Sequence, residues 1–282
     1  PDAEELEVAP DAAETTQDTE HDEDAAEVDL NAEVERLIRE LDGGSAAAAE
    51  SLGLIGHEAE AAVPALIRAL EGSDPGLRNA ALVALDPYSG HVLAMLGSPD
   101  YFDDTISGAY NAALAPRQPG SALKPFTYAA AFDPTLPDPW TAATMSLDVK
   151  TPFVTRRLES YTPANFGLVE HGPVLVREAL ASSYNIPAVV ALEHVGVDAL
   201  VRLMTRLGVN TLAENEHIDL AVTLGGGEVR LLELTAAYAA LANGGYHIAP
   251  VMITQVADAD GHTLYAWEAQ RLVDQVLDER VA

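Results

Sequence analysis

The stretch Arg117-Gln118-Pro119-Gly120-Ser121-Ala122-Leu123-Lys124-Pro125-Phe126 decides how the rest of this chain is read. Its Pro-Gly pair punctuates the backbone, and the apolar run from Phe126 to Phe132 predicts a helix after it. Ser121 then opens the helix, with Lys124 three residues on along the same face. That spacing suits nucleophilic chemistry: a serine hydroxyl needs a base within hydrogen-bond reach, and a helix N-terminus favours developing negative charge. An amine is a base only when neutral. At an ordinary pKa near ~10.4, fewer than about one lysine in a thousand is neutral at pH 7. The site must lower that value by roughly 3 units through burial and positive neighbours. Composition favours such a role. The chain carries thirteen arginines but only Lys124 and Lys150 as lysines, so the lysine at 124 supplies something a permanently charged guanidinium cannot.

The 282 residues allow one large domain or two small ones, and 48% of them are apolar, enough for a sizeable core. Cysteine is absent, which excludes disulfides and thiolate chemistry. No apolar run reaches membrane-spanning length, no signal peptide is visible, and the first residue is Pro; the chain reads as a piece of something longer. The net charge of −30 argues against a basic nucleic-acid surface, and an acidic, lysine-poor composition fits a salt-rich habitat.

Residues 1–29 are acidic, lack apolar periodicity and read as a disordered tail, because they bury too little surface to offset ordering entropy. Residues 30–79 turn helical. Val34, Leu37, Ile38 and Leu41 recur, 29 positions on, as Val63, Leu66, Ile67 and Leu70. VPALIRALEGSDPGLRNAALVAL resembles a short HEAT-type repeat, but two repeats at most bury no continuous core, so a small helical cap or linker is expected. ALVALDPYSGHVLAML then predicts a β-hairpin turning at Asp86 to Gly90. Further on, helices are expected at Val174–Leu180, Ala188–Val195 and Val197–Leu207, a helix stop at Asn243-Gly244-Gly245, and a strand at Ile248–Val256. Leu224-Gly225-Gly226-Gly227 lacks the Gly-Lys-Ser/Thr of a phosphate loop, and the eight histidines show no zinc spacing.

Ser183-Tyr184-Asn185 is a second constellation. A hydroxyl and an amide two residues apart at a helix connection can relay a proton and hold a substrate amide; read locally, they are a capping serine and a turn asparagine. Here the residues carry a resemblance. ALVALDPYSGHVLAM, the Ser121-x-x-Lys124 stretch, YTPANF, GPVLVREALASSYNIPAV and LTAAYAALANGG follow one another as in the transpeptidase domain of class A, bifunctional penicillin-binding proteins. The resemblance covers residues 80–282. It implies an α+β, partial penicillin-binding protein/β-lactamase-like serine transpeptidase fold, preceded by the HEAT-like helical segment and the acidic tail.

The resemblance further implies D,D-transpeptidation of peptidoglycan stem peptides, with Ser121 as nucleophile, Lys124 as its base, Ser183 as proton shuttle and Asn185 orienting Lys124 and the substrate amide. It implies no cofactor and no metal. The expected partners are stem peptides, β-lactam antibiotics and cell-wall synthesis proteins, with no nucleic acid. The expected place is the extracytoplasmic face of the membrane or the periplasm, with membrane contact only through an anchor outside these residues. The family's third motif, Lys-Thr-Gly on a strand after Ser-x-Asn, has no counterpart here. Lys150-Thr151-Pro152 precedes the second motif and has Pro where Gly must allow close approach. Substrate carboxylate binding and half of an oxyanion hole are expected to go with it, leaving the chain weakly active or inactive. Two other readings stand beside this one: a β-lactamase or D,D-carboxypeptidase using the same pair, and a non-catalytic helical-repeat scaffold.

Overall fold

A computed structural model describes residues 35–39, 81–215, 217–268 and 275–282. The acidic tail and most of the HEAT-like segment therefore lie outside the described residues. Within that segment, residues 35–39 form one helical turn with Leu37 buried.

The predicted hairpin is present. Strands β1 (Leu82–Leu85) and β2 (Val92–Leu96) pair antiparallel, Leu82 opposite Leu96, with a register shift between Ala84 and Leu85. The sequence sets the turn locally. Asp86 accepts hydrogen bonds from the Tyr88 amide and the Ser89 hydroxyl, which hold its carboxyl below the usual carboxylate range, Ser89 contributing most. Gly90 closes the turn at φ +74°, where a Cβ would also overlap Ala249.

The core is helical. Helix α1 (Lys124–Ala131) buries seven of its eight residues, all but Pro125. Around it pack α2 (Val176–Ala181), α3 (Asn185–Val195) and α4 (Val197–Arg206), together with a 3₁₀ turn at Leu220–Leu224. Alanines at 129, 130 and 131 let these neighbours approach, while Phe126 turns its ring edge to Tyr238, centroids 4.9 Å apart. Helix α4 is amphipathic, with Val197, Leu200, Leu203 and Met204 buried on one face. Helix α5 (Leu231–Ala242) covers β1 and stops, as expected, at a Gly244-Gly245 pair with positive φ.

Four further antiparallel pairs complete the described structure. They are β3 (Pro116–Arg117) with β8 (Val229–Arg230), β4 (Met145–Asp148) with β7 (Gly172–Leu175), β5 (Phe153–Val154) with β6 (Ser160–Tyr161), and β9 (Gln255–Ala257) with β10 (Thr263–Ala266). None of them joins the first hairpin in a common sheet among the described residues.

Two expectations fail in instructive ways. Val174–Leu180 is not one helix: Val174 and Leu175 belong to β7, because Ser146 and Met145 of β4 pair with them, and the helix begins at Val176. Ile248–Val256 is not a strand. It meets the hairpin only where Val251 bridges His91, since Pro250 has no N–H to donate, and regular pairing begins at Gln255.

Candidate active site

Ser121 lies in a 3₁₀ turn (Gly120–Leu123) that feeds directly into α1, so the helix begins at Lys124 rather than at the serine. The amide of Lys124 donates to the Ser121 carbonyl, which sets the two residues one turn apart. Three contacts fix this turn from outside. The Tyr238 hydroxyl donates to the Ala122 carbonyl at 2.8 Å. Strand β3, just upstream, pairs with β8 and so brings Gly225 against Gly120. A Cβ on Gly225 would overlap the Gly120 backbone, and its φ of +91° is also one that side chains resist. Below, Thr127 and Thr223 share a buried hydroxyl–hydroxyl bond of 2.8 Å.

Burial sets the state of the lysine. Lys124 is 1% exposed. Its Nζ donates to the Ser183 carbonyl at 2.5 Å, the Ser183 hydroxyl at 2.9 Å and Asn185 Oδ1 at 2.7 Å. The three donors of an ammonium are thus matched by three acceptors, all neutral. Among the described residues no carboxylate forms an ion pair with it. Desolvation without a counter-charge pushes its pKa from the ordinary 10.5 down to about 8. At that value about one lysine in ten is neutral at pH 7, several hundred times the ordinary fraction. Burial alone does this; the positive neighbours expected from the sequence are not needed.

Ser183 reaches Lys124 through an unusual backbone. Its φ of +55° is left-handed, a conformation costing roughly 1–2 kcal/mol for a residue other than Gly. Amides of Ser183 and Tyr184 donating to the Leu180 and Ala179 carbonyls hold it there. The serine does not cap the following helix. Tyr184 occupies the N-cap of α3 with no side-chain bond, and the cap comes instead from Asn165, whose Oδ1 accepts from the Asn185 amide at 2.7 Å. Asn165 belongs to YTPANF, a stretch that marks the resemblance but has no evident role in the sequence alone. Its only local signal is an asparagine next to a Pro-Ala turn.

Of the four candidate residues, the fold brings Lys124, Ser183 and Asn185 into one hydrogen-bonded cluster. Ser121 stands apart: it is exposed, and among the described residues its hydroxyl makes no hydrogen bond to Lys124. Lys150 lies elsewhere, on the rim of a cavity of about 420 Å³ with Pro163, Ala164, Leu168 and Ile186. Its amide donates to Glu170, so the Lys-Thr-Pro stretch sits on a loop and not on a strand beside Ser121. Among the described residues, three potential metal ligands, Asp258, Asp260 and His262, meet in the exposed β9–β10 turn.

The described residues thus set a serine in the turn one step ahead of a buried lysine, itself bonded to Ser-x-Asn at a neighbouring helix junction, in a domain of the α+β class. Comparison with known proteins specifies it. Residues 80–282 match the penicillin binding protein transpeptidase domain, and the chain belongs to that family. It is 36% identical over 207 residues to penicillin-binding protein 2D of Bacillus subtilis, covering 71% of this chain and 27% of that protein. To penicillin-binding protein 1C of Escherichia coli it is 34% identical over 176 residues, 62% of this chain and 22% of the other. The crystal structure of penicillin-binding protein 1A from Haemophilus influenzae superposes with a TM-score of 0.58 at 29% identity, over 66% of this chain and 27% of its own. The PonA1 protein of Mycobacterium tuberculosis shares the fold, with a TM-score of 0.62 at 19% identity, over 89% of this chain and 58% of its own. The chain spans about a quarter of the length of the curated relatives it matches.

Proposed function

We propose that this domain is the acyl-transfer unit of a peptidoglycan D,D-transpeptidase, with Ser121 as nucleophile. The observation that carries this reading is the buried Lys124, matched only by neutral acceptors and titrating near 8. In its neutral form Nζ donates to only two of those acceptors, and its lone pair can take a proton from the Ser183 hydroxyl. The Ser183 hydroxyl, 2.9 Å from Nζ, is the group that passes it on.

Ser121 Oγ forms a bond to the carbonyl carbon of the penultimate D-alanine, and its proton moves to Lys124 by way of Ser183. The C–N bond to the terminal D-alanine then breaks, and that amine leaves carrying the proton. An amine from a neighbouring glycan strand attacks the ester; the C–O bond to Ser121 breaks and the amine's proton returns to Oγ by way of Lys124 and Ser183, which regenerates Ser121 and forms the cross-link. A β-lactam enters the same first step, but its leaving amine remains tethered, so the ester persists. Asn185 orients Lys124 through Oδ1. Such chemistry belongs on the extracytoplasmic side of the membrane, where the stem peptides are; no helix among the described residues is long and apolar enough to cross one.

The Ser121 hydroxyl makes no hydrogen bond to this cluster among the described residues, and catalytic hydrogen bonds commonly tighten only around substrate. The test is covalent labelling by a fluorescent penicillin with the adduct mapped by mass spectrometry. With no Lys-Thr-Gly after Asn185 in these residues, the adduct is expected to form only slowly, on the peptide carrying Ser121, and to be absent in Ser121→Ala and in Lys124→Met. Labelling that survives Ser121→Ala refutes the assignment. Prompt release of hydrolysed penicillin would make the domain a hydrolase instead.

A further inference from the structure

The acyl-transfer reading assigns no role to a polar cluster directly behind Asn185, in which Asp148 and Asn165 are buried and His171 reaches the surface. Its centre is Asp148, at the end of β4 and 0% exposed. Both of its carboxylate oxygens accept from Asn165 Nδ2, at 2.7 and 2.8 Å, and one also accepts from the His171 amide at 3.0 Å and from His171 Nδ1. The pairing of Asp148 with Gly172 across β4 and β7 delivers His171 to it. From this centre two arms reach the second motif. Asn165 Oδ1, locked by the Asp148 bonds into facing α3, accepts from the amides of Asn185 at 2.7 Å and Ile186 at 3.4 Å. The His171 ring stacks on Tyr184, centroids 4.0 Å apart and 12° from parallel. Tyr184 is the residue between Ser183 and Asn185.

We infer that Asp148, Asn165 and His171 are positioning residues that hold Ser183-Tyr184-Asn185 in register with Lys124. The physical case rests on what the segment lacks. Ser183 is held in a left-handed conformation, and α3 begins without a cap of its own. Left to local preference, the junction would relax and carry Asn185 Oδ1 and Ser183 Oγ away from Nζ. Asn165 supplies the missing cap, and the Asp148–His171 pair clamps the ring next to it. An Asp rather than an Asn at 148 gives acceptors on both oxygens, so the amide of Asn165 cannot flip its Oδ1 away from the helix. A third bond, from Asn165 Nδ2 to the Val169 carbonyl at 2.8 Å, reinforces that orientation. This inference deepens the acyl-transfer reading, yet its geometry can be tested without any turnover.

The chain's two lysines provide the test. Brief treatment of the full chain with acetic anhydride at pH 8, followed by peptide mapping, reports modification of Lys124 against Lys150 as internal reference. About half of Lys124 is neutral at pH 8, but at 1% exposure the reagent cannot reach it, and in the intact protein it should lag far behind. In Asn165→Ala the Lys124:Lys150 ratio should rise about tenfold while circular dichroism stays native. In His171→Phe, which keeps a ring over Tyr184 but drops the bond to Asp148, it should rise about threefold. Asn165→Asp alone sets two carboxylates together and should raise the ratio as Asn165→Ala does. Adding Asp148→Asn restores one donor and one acceptor across the contact and should bring the ratio back towards the original. A general loss of stability would not be rescued in this residue-specific way. Unchanged ratios in Asn165→Ala and His171→Phe, or no rescue in the paired variant, overturn the inference. Penicillin labelling of the same samples answers the separate question about Ser121, so failure of one reading does not mask the other.

Discussion

Replacing Lys124 by Met separates the electrostatic cost of this site from its shape. In the native state the ammonium titrates near 8, whereas in the unfolded chain it returns to its ordinary 10.5. Below pH 8 both states hold the proton, and folding bears the whole cost of burying the charge. Between about 8 and 10.5 the unfolded chain still holds a proton that the native state has released, so unfolding takes one up and stability rises with pH. The difference, about 2.5 pKa units, corresponds to about 3 kcal/mol, and the near-complete burial of the side chain leaves little solvent screening to discount. Lys124→Met keeps the volume and removes the titration. At pH 7 it also strands Ser183 Oγ, Ser183 O and Asn185 Oδ1 without their donor, at about 1–3 kcal/mol for each unsatisfied group, so the absolute change there can have either sign. The slope is the informative quantity. Urea unfolding of both proteins at half-unit steps from pH 7 to 10.5 should show the original chain gaining about 3 kcal/mol relative to Lys124→Met. Other titrating groups cancel in the difference. A difference that stays flat across the window, or falls with pH, refutes the claim that Lys124 is a desolvated lysine without a counter-charge.

Other outcomes follow from the same geometry. The rate of Ser121 acylation by a fluorescent penicillin should climb about fiftyfold from pH 6 to 8 and then level off, tracking neutral Lys124; a flat profile would mean the lysine is not the base. Asn185→Ala removes an acceptor that favours the ammonium, so the midpoint of that profile should move below 8 while the plateau falls at least tenfold, both read from the same stopped-flow series. Gly225→Ala places a Cβ against the Gly120 backbone at a φ of +91°; thermal denaturation should show a loss of about 1–3 kcal/mol, and acylation should slow as the Ser121 turn shifts. Tyr238→Phe deletes the bond to the Ala122 carbonyl, for an expected loss of about 1 kcal/mol in chemical unfolding with the fold unchanged.

The sequence determined a good deal by itself. The Asp86 turn, the hairpin around it, the amphipathic α4 and the Gly244-Gly245 stop are all written in neighbouring residues, because each depends on local hydrogen bonds or on one buried face. Ser121, Lys124, Ser183 and Asn185 were legible as two short motifs, and their family-like order identified the domain. What tertiary structure alone decided is whatever depends on contacts distant in sequence. Val174 and Leu175 became strand because β4 offered them a ladder. The pKa of Lys124 fell because helices packed round it from 60 residues away exclude water, with Ser183 and Asn185 as its neutral acceptors. Gly225 matters only because β3 and β8 press it against Gly120. Asn165, Asp148 and His171 are unremarkable in the linear chain, since a helix cap supplied from 20 residues upstream leaves no local pattern. Motifs name the groups that could react; the burial that brings the pKa of Lys124 down to about 8 exists only once the chain has closed around it.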